Sequence, residues 1–396
     1  MKKFKKSFTQ QESLPIESIS NAVDILNSGR LHRYNTLENE ESQTTLFEKE
    51  FSKYQGVKYC LSCTSGGYAL FLALCSLQIK NNEPILTNSF TLSPVPGAIV
   101  NAGGQPILVD TTYNLKIDLD DLIVKIKKFK PRILLLSHMR GHIVDMDELC
   151  EILDNYKLIL IEDCAHTMGA SWGNIKSGNY GFISCFSTQT YKHLNSGEGG
   201  IITTNDPDTL AKCIFMSGSY MFYEKHFSEI NNDIFKNYSE TMPNFSGRMD
   251  NLRSSILRPQ LKILDKNCKK WNNKYNLIYS KLKLNEHFSF PLRNTKENFV
   301  GSSIQFYLNN FKKDQIKHFI QECSFFGVDL KWFGNDIPKG YTSNYSHWKY
   351  INNIEIKNTS KYLDSLIDMR IPLTFSDDDC NQISEIINYC SFRVKI

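Results

Sequence analysis

The sequence holds no apolar run near the about 20 residues that a membrane-spanning helix requires. Its longest runs, such as Ile133-Leu134-Leu135-Leu136, are the length of a strand. The start, Met1-Lys2-Lys3-Phe4-Lys5-Lys6, is basic but passes into Ser7, Thr9, Gln10 and Gln11 with no apolar segment, so it does not read as a secretory signal. An excess of one charge is missing too. Lys+Arg 46 against Asp+Glu 42 leaves +4, too little and too evenly spread to call for nucleic acid or an anionic membrane as partner. The 11 cysteines, scattered from Cys60 to Cys390, do not make the short, even-numbered framework of a disulfide-stapled secreted domain. They fit a reducing, cytoplasmic home with buried free thiols. Cys60-Leu61-Ser62-Cys63 is formally a CxxC, but no second pair stands at zinc-finger spacing. Neither a Gly-Lys-Ser/Thr P-loop nor a GxGxxG after a strand is present, which argues against nucleoside triphosphates and Rossmann dinucleotides.

What the chain does have is ordinary globular composition, 41% hydrophobic and 22% charged over 396 residues, enough for two or three domains. Ile16, Ile19, Val23 and Leu26 recur at helical spacing between Pro15 and Gly29, an amphipathic helix with both ends marked. Strands are expected at 59–62, 84–87, 106–110, 132–138, 157–162, 182–186 and 200–203, with helices at 68–77, 93–102, 119–126 and 146–155 between them. Strands as apolar as Leu158-Ile159-Leu160-Ile161 need cover on both faces. The alternation therefore predicts a three-layer α/β/α sandwich with a mostly parallel sheet. Residues 250–283 read as a long helix, broken or bent near Pro259. A smaller C-terminal α+β domain follows, with strands at 303–308 and 328–332 and helices at 313–325 and 377–390. The division falls near residue 262, giving 1–262 and 263–396.

In parallel sheets ligands sit at the carboxyl ends of the strands, and three such ends carry unusual residues. Cys63-Thr64-Ser65-Gly66-Gly67 joins a strand to a helix, where two glycines let backbone N–H groups approach an anion; Ser-Gly-Gly is also ordinary turn chemistry. Asp163 ends an apolar strand in Ile161-Glu162-Asp163-Cys164-Ala165-His166. Such an acid needs a strong donor or cation beside it, unless it caps a helix. Lys192 lies in Phe186-Ser187-Thr188-Gln189-Thr190-Tyr191-Lys192-His193, ahead of Gly197-Glu198-Gly199-Gly200, a context unlike that of a core residue, although most lysines are simply solvated. Together they are the parts of a pyridoxal phosphate (PLP) site: an amine for a Schiff base, a carboxylate for the pyridinium nitrogen, and a helix start for the phosphate.

On these residues the sequence resembles the DegT/DnrJ/EryC1/StrS sugar aminotransferases, of the fold-type-I PLP class, from about Ile16 to Leu373. Further matching segments are Phe90-Thr91-Leu92, Gly141–Asp147, Glu162–Ala170 and Phe186–Gly200. Counting back five residues from Gly197 gives Lys192, not His193, as the Schiff-base lysine; related 3-dehydratases carry histidine at that position. The resemblance implies that Asp163 pairs with the pyridine nitrogen, His166 stands beside the 3-oxygen and Ala165 packs on the ring. It places Ser65, Gly66, Gly67 and Ser187 on the phosphate, with Gln189 also on the cofactor. Phe90 or Leu92 fills the place of a ring-stacking aromatic. Ser246, or Asn244 two residues earlier, stands where the family's asparagine reaches the phosphate of the partner subunit.

The implied activity is transfer of an amino group from glutamate or glutamine to a keto-sugar, nucleotide-linked, in polysaccharide or glycoconjugate biosynthesis, by a cytoplasmic homodimer with composite sites. Other PLP chemistry, such as sugar 3-dehydration, and an inactive sensor are the alternatives. A DNA-binding regulator would need far more than the roughly 15 residues that precede the first helix. His138, Arg140 and His142 are read evenly as substrate contacts or as support. Residues 217–244, with Tyr220, Phe222, Tyr223 and Phe227, read as an inserted loop or interface, and Trp332-Phe333-Gly334 with His347-Trp348 as candidate walls of a substrate mouth.

Overall fold

The computed structural model describes residues 1–395 except 220, 222, 224, 225, 227–231, 338–343 and 353. Tyr220, Phe222 and Phe227 of the expected loop lie outside the described residues. The chain opens with α1 (Ile16–Ser28) and α2 (Gln43–Gln55). Alternation follows through β1 (Tyr59–Cys63), α3 (Gly66–Ser76), β2 (Pro84–Asn88), α4 (Pro94–Asn101), β3 (Gln105–Val109), α5 (Leu119–Phe129), β4 (Ile133–Ser137), α6 (Met146–Tyr156) and β5 (Ile159–Asp163). A short hairpin, β6 (Ser171–Trp172) and β7 (Ile175–Lys176), precedes β8 (Ile183–Ser187), β9 (Gly200–Thr204), α7 (Pro207–Ser217) and α8 (Asn232–Lys236).

The large sheet runs β1-β9-β8-β5-β4-β2-β3, parallel throughout except that β9 is antiparallel to both neighbours. Alternation along each strand divides the core in two. In β4, Leu134 and Leu136 face a layer built from α2, α5 and α6, while Ile133 and Leu135 face α3, α4 and α7. This is the expected three-layer sandwich. Its parallel register sets Ser137 beside Asp163, and the antiparallel β9 sets Gly200 beside both Ser187 and Cys63. The residues singled out for chemistry therefore share one edge of the sheet.

The second body has a four-stranded antiparallel sheet, β10-β12-β14-β13, formed by β10 (Phe288–Ser289), β12 (Ser303–Leu308), β13 (Lys331–Trp332) and β14 (Leu366–Arg370). β11 (Glu297–Asn298) instead pairs with β6. Helices α11 (Lys313–Phe325), α12 (Thr359–Leu363) and α13 (Asp377–Lys395) complete it. Two expectations are corrected. Pro259 does not break the long helix: α9 (Asn251–Lys262) carries it within, and the axis breaks at Ile263 (φ −110°, ψ 6°) before α10 (Leu264–Leu282). Nor do residues 1–262 all pack with the large sheet. Phe4 and Phe8 bury into the C-terminal core against Phe375, and the Phe4 amide donates to the Phe326 carbonyl at 2.8 Å. α10 serves both cores, giving Leu264 and Trp271 to one and Ile278 and Leu282 to the other.

All eleven cysteines are free, and nine of them are buried. Cys60 and Cys63 are on β1, and burial pushes both thiols up, which is the opposite of an activated redox pair.

β1 is anchored by Glu48 of α2, whose carboxylate accepts from the Ser62 amide and hydroxyl, both at 2.7 Å. The same carboxylate meets the Arg33 guanidinium through two bonds of 3.0 and 2.8 Å, fully buried. Removing one partner of such a pair strands a buried charge and costs about 3–5 kcal/mol. Glu48→Ala is accordingly expected to lose that much in denaturant unfolding, and to loosen the turn that follows β1.

The stripe of α1 is the largest surprise among the helices. Ile16, Ile19, Val23 and Leu26 are 87%, 51%, 48% and 56% exposed, whereas Ser18 is buried with its hydroxyl on the Ile256 carbonyl at 2.8 Å. The helix packs on α9 around Ser18, with Asn21, Ala22 and Ile25 half-buried, and presents the Ile16, Ile19, Val23 and Leu26 stripe outward.

Candidate functional site

A cavity of 380 Å³ opens at the sheet edge and is lined by residues from both bodies. Its floor is built from the turns after β1, β5 and β8. Ser65 caps α3, its hydroxyl accepting from the Tyr68 amide at 3.1 Å, which leaves the amides at the helix start turned to the cavity. Gly66 is required there. A Cβ on it would stand 2.8 Å from the Ser187 Cβ, and one on Gly200 2.1 Å from the Ser65 carbonyl oxygen. Ser65, Gly66, Gly67 and Ser187 thus meet on the cavity lining, a cradle of amides and hydroxyls suited to a phosphate.

Asp163 projects from the end of β5. Its carboxylate accepts from the Ser137 hydroxyl at 2.8 Å and the Ala165 amide at 3.1 Å. Ser137 is itself fixed by the Thr91 hydroxyl and the Asn88 side chain, both at 2.8 Å. Asp163 is therefore held as an acceptor and not as a helix cap. The neighbouring Glu162 has the structural duty: it takes the amides of Gly178, Tyr180 and Gly181 and sits 3.0 Å from His138 Nε2.

Lys192 reaches the same cavity, its Nζ 2.9 Å from His166 Nε2. Burial, then the Arg140 guanidinium, brings its amine down to about 7 in spite of Asp163. Burial and the Lys192 charge hold His166 well below the usual imidazole range, so His166 is neutral. His193 is not among the lining residues: its ring is bonded to the Met168 carbonyl at 2.8 Å and to the hydroxyl of Ser302, itself on the lining, at 3.0 Å.

Ala165, His166, Gln189 and Leu92 also line the cavity. Phe90 does not. It is buried edge-on to Phe333, ring centroids 5.0 Å apart, so the aliphatic Leu92 takes the wall where an aromatic was sought. Asn244 and Ser246 are exposed and outside the chain's own cavity, with Asn244 Oδ1 accepting from the Ser246 amide at 2.8 Å. Of the His138, Arg140 and His142 trio, Arg140 alone lines the cavity; His142 Nε2 is 2.9 Å from the Gln305 side-chain oxygen. Trp332, Phe333, His347 and Trp348 stay out of the lining too.

Sequence reasoning missed Ser137, Tyr191, Glu198 and Arg370. Ser137 was within reach, since parallel pairing of the two strands sets it opposite Asp163. Arg370 was not, because only the docking of the second body brings it to the site.

The donor set fits PLP: one enclosed amine of low basicity, one fixed carboxylate and a glycine-lined cradle share the lining. Lys192, Asp163 and the residues Ser65–Gly67 with Ser187 are those that would hold it.

Comparison with known proteins agrees in kind. GDP-perosamine synthase of Caulobacter vibrioides is 33% identical over 223 residues, 55% of this chain and 56% of that protein. The match thus spans little more than half of that curated relative. Two solved structures show the fold: Helicobacter pylori PseC, an aminotransferase of pseudoaminic acid biosynthesis, has TM-score 0.83 at 17% identity, over 99% of this chain and 100% of that one. A GDP-4-keto-6-deoxymannose-3-dehydratase with a trapped PLP-glutamate geminal diamine has TM-score 0.82 at 17% identity, over 97% and 100%. The DegT/DnrJ/EryC1/StrS aminotransferase family matches residues 17–388, and the chain belongs to it.

Proposed function

We propose that the protein is a PLP-dependent aminotransferase that converts a nucleotide-linked keto-sugar to an amino-sugar, with glutamate or glutamine as donor. The observation that carries this reading is the meeting of Lys192, Asp163 and the Ser65–Gly67/Ser187 cradle in one cavity. When bound, PLP supplies an electron sink that makes the proton on the carbon beside the amino nitrogen removable. The chain supplies the rest. Asp163, fixed in place by the Ser137 hydroxyl and the Ala165 amide, would keep a proton on the cofactor's ring nitrogen. The Lys192 amine, near 7, is poised both to bond the cofactor and, once displaced, to carry a proton to and from that carbon at neutral pH. Neutral His166 steadies the amine. That Lys192 lines the cavity and His193 does not disfavours the dehydratase alternative, because no imidazole takes the lysine's place.

The test is a mass-spectrometric screen of the purified enzyme against a panel of nucleotide keto-sugars with glutamate as donor. A mass change of an amine for a ketone supports the reading, and none across the panel, with no absorbance change on adding glutamate, rejects it. No helix among the described residues is long and apolar enough to cross a membrane, in keeping with a cytoplasmic enzyme. The chain divides near residue 262, with the N-terminal Phe4–Phe8 strap belonging to the second part.

The active form is a homodimer. The outward apolar stripe of α1, with Leu37 at 67% exposure close in sequence, is surface that obligate dimers bury. Asn244 and Ser246, unused by the chain's own site, stand ready for the partner's phosphate end. Mixing Lys192→Ala chains with Asn244→Ala/Ser246→Ala chains is expected to restore activity through one sound site per heterodimer. An active monomer in sedimentation, or no recovery from two dimeric, impaired parents, rejects shared sites.

A further inference from the structure

Phe8 and Gln11 line the cavity, yet both precede residue 17, where the family match begins. The N-terminal strap that carries them is fastened to the second body along its length. Thr374 Oγ1 donates to the Gln10 carbonyl at 3.3 Å, Gln382 Nε2 donates to the Lys2 carbonyl at 3.2 Å, and Lys6 pairs with Asp379. Phe4 and Phe8 add their edge contacts to Phe375. A strap held at so many points makes Gln11 part of the wall and not a loose end. The Gln11 side chain has one long contact, from Nε2 to the Thr9 carbonyl at 3.4 Å, and its oxygen has no partner among the described residues.

The same lining holds Phe8, Gln11, Trp271, Ser302, Ser303 and Pro372, and none of these six carries a charge. Trp271 spends its indole N–H on the Ile371 carbonyl at 3.0 Å, so it offers a ligand only its ring. The two serines are fixed in opposite senses. His193 Nδ1 meets the Met168 carbonyl and therefore carries the ring's hydrogen; burial brings this imidazole down to about 4, so it is neutral. Its Nε2 is then an acceptor and takes the Ser302 hydrogen at 3.0 Å. Toward a ligand the Ser302 oxygen acts as an acceptor. The Ser303 oxygen instead accepts from Gln305 Nε2 at 2.8 Å, which leaves its own hydrogen to donate. His193 follows Lys192 directly in the chain, and its ring centre lies 5.0 Å from that of Trp271. The uncharged wall therefore begins beside the reacting amine.

We propose that Gln11, Ser302 and Ser303 form an uncharged subsite for the hydroxyl-bearing ring of the keto-substrate, with Phe8 and Trp271 as its apolar backing. A hydroxyl both donates and accepts, and a sugar ring sets several of them at fixed spacing. One amide, one fixed acceptor and one fixed donor read such an arrangement. The aromatic rings suit the C–H groups that lie between the hydroxyls. A phosphate or an acid would find no cation among the six residues. The assignment to a sugar ring rests on the aminotransferase reading, which supplies the keto-substrate.

Calorimetric titration of the purified holoenzyme with dTDP-glucose, UDP-N-acetylglucosamine and GDP-mannose, each set against its bare diphosphate dTDP, UDP or GDP, isolates the sugar's share without turnover. At least one sugar nucleotide is expected to bind the parent more tightly than its bare diphosphate. Gln11→Ala should weaken that sugar nucleotide about fivefold, the worth of one neutral hydrogen bond, and leave the bare diphosphate unchanged. Ser303→Ala should do the same. It deprives Gln305 of an acceptor, so Gln11→Ala, which breaks only the long contact to Thr9, carries the test if Ser303→Ala does not fold. No gain from the sugar in the parent, a gain untouched by Gln11→Ala, or an equal loss for the bare diphosphate overturns the proposal. The parent's visible absorbance on adding glutamate tests the reading beneath it. A response to glutamate with sugar binding indifferent to Gln11 keeps the aminotransferase and removes the subsite. No response, with sugar binding that depends on Gln11, rejects the aminotransferase and leaves the subsite standing.

Discussion

Lys192→Ala is expected to show no measurable turnover, yet its cofactor-free form should be at least as stable as the parent. The loss follows because among the described residues no other amine lines the cavity: His166 is a neutral imidazole and His193 is not part of the lining. The stability follows from protonation. The Lys192 amine titrates near 7 in the folded protein against 10.5 for a free lysine. A folded-state pKa lowered in this way means that the unfolded chain binds more protons between these values. The penalty is therefore full below about pH 7 and disappears as pH rises toward about 10.5. At roughly 1.4 kcal/mol per pKa unit, removing the amine relieves a penalty on the order of a few kcal/mol at neutral pH, offset in part by lost methylene packing. Thermal unfolding of the two cofactor-free proteins should show the variant's Tm advantage at pH 7 shrinking toward pH 10. A variant that melts far below the parent at pH 7 would show that Lys192 is a structural residue.

Asp163→Asn is the second large effect. The change keeps the shape, and the Ser137 hydroxyl can accept from the new amide, so the fold should persist. What is lost is the negative charge that, in the proposed reading, keeps the cofactor's ring nitrogen protonated. The expected fall in kcat is at least the ~10²-fold typical of an acid–base group, with near-parent unfolding. If the variant keeps more than about a tenth of the rate, Asp163 does not have this role.

Much of this was legible because the physics was local. The runs that became β4 and β5 can be hidden only in a sheet covered on both faces, and Ser65-Gly66-Gly67 makes a helix start where Cβ atoms do not fit. Asp163 ends β5 and Lys192 stands in the turn after β8, so strand order brings them to one edge. What escaped reading depended on contacts distant in sequence. Helix α2 is only weakly amphipathic, yet its Glu48 fixes β1 through Arg33 and Ser62. Arg370 arrives from a strand of the other body, and nothing around it in the sequence points to a cavity 180 residues earlier. Phe90 sat in a matching segment, but Phe333, again from the second body, drew it into the core. The α1 periodicity was read correctly as a helix; only the monomer's surface shows that its apolar side faces outward.

The central claim is that Lys192 carries the cofactor. Borohydride reduction of the purified holoenzyme, followed by peptide mapping, reads this directly. The account predicts a pyridoxyl group on the peptide that contains Lys192 and on no other. A label on Lys176 or Lys331, or on no lysine at all, would contradict it.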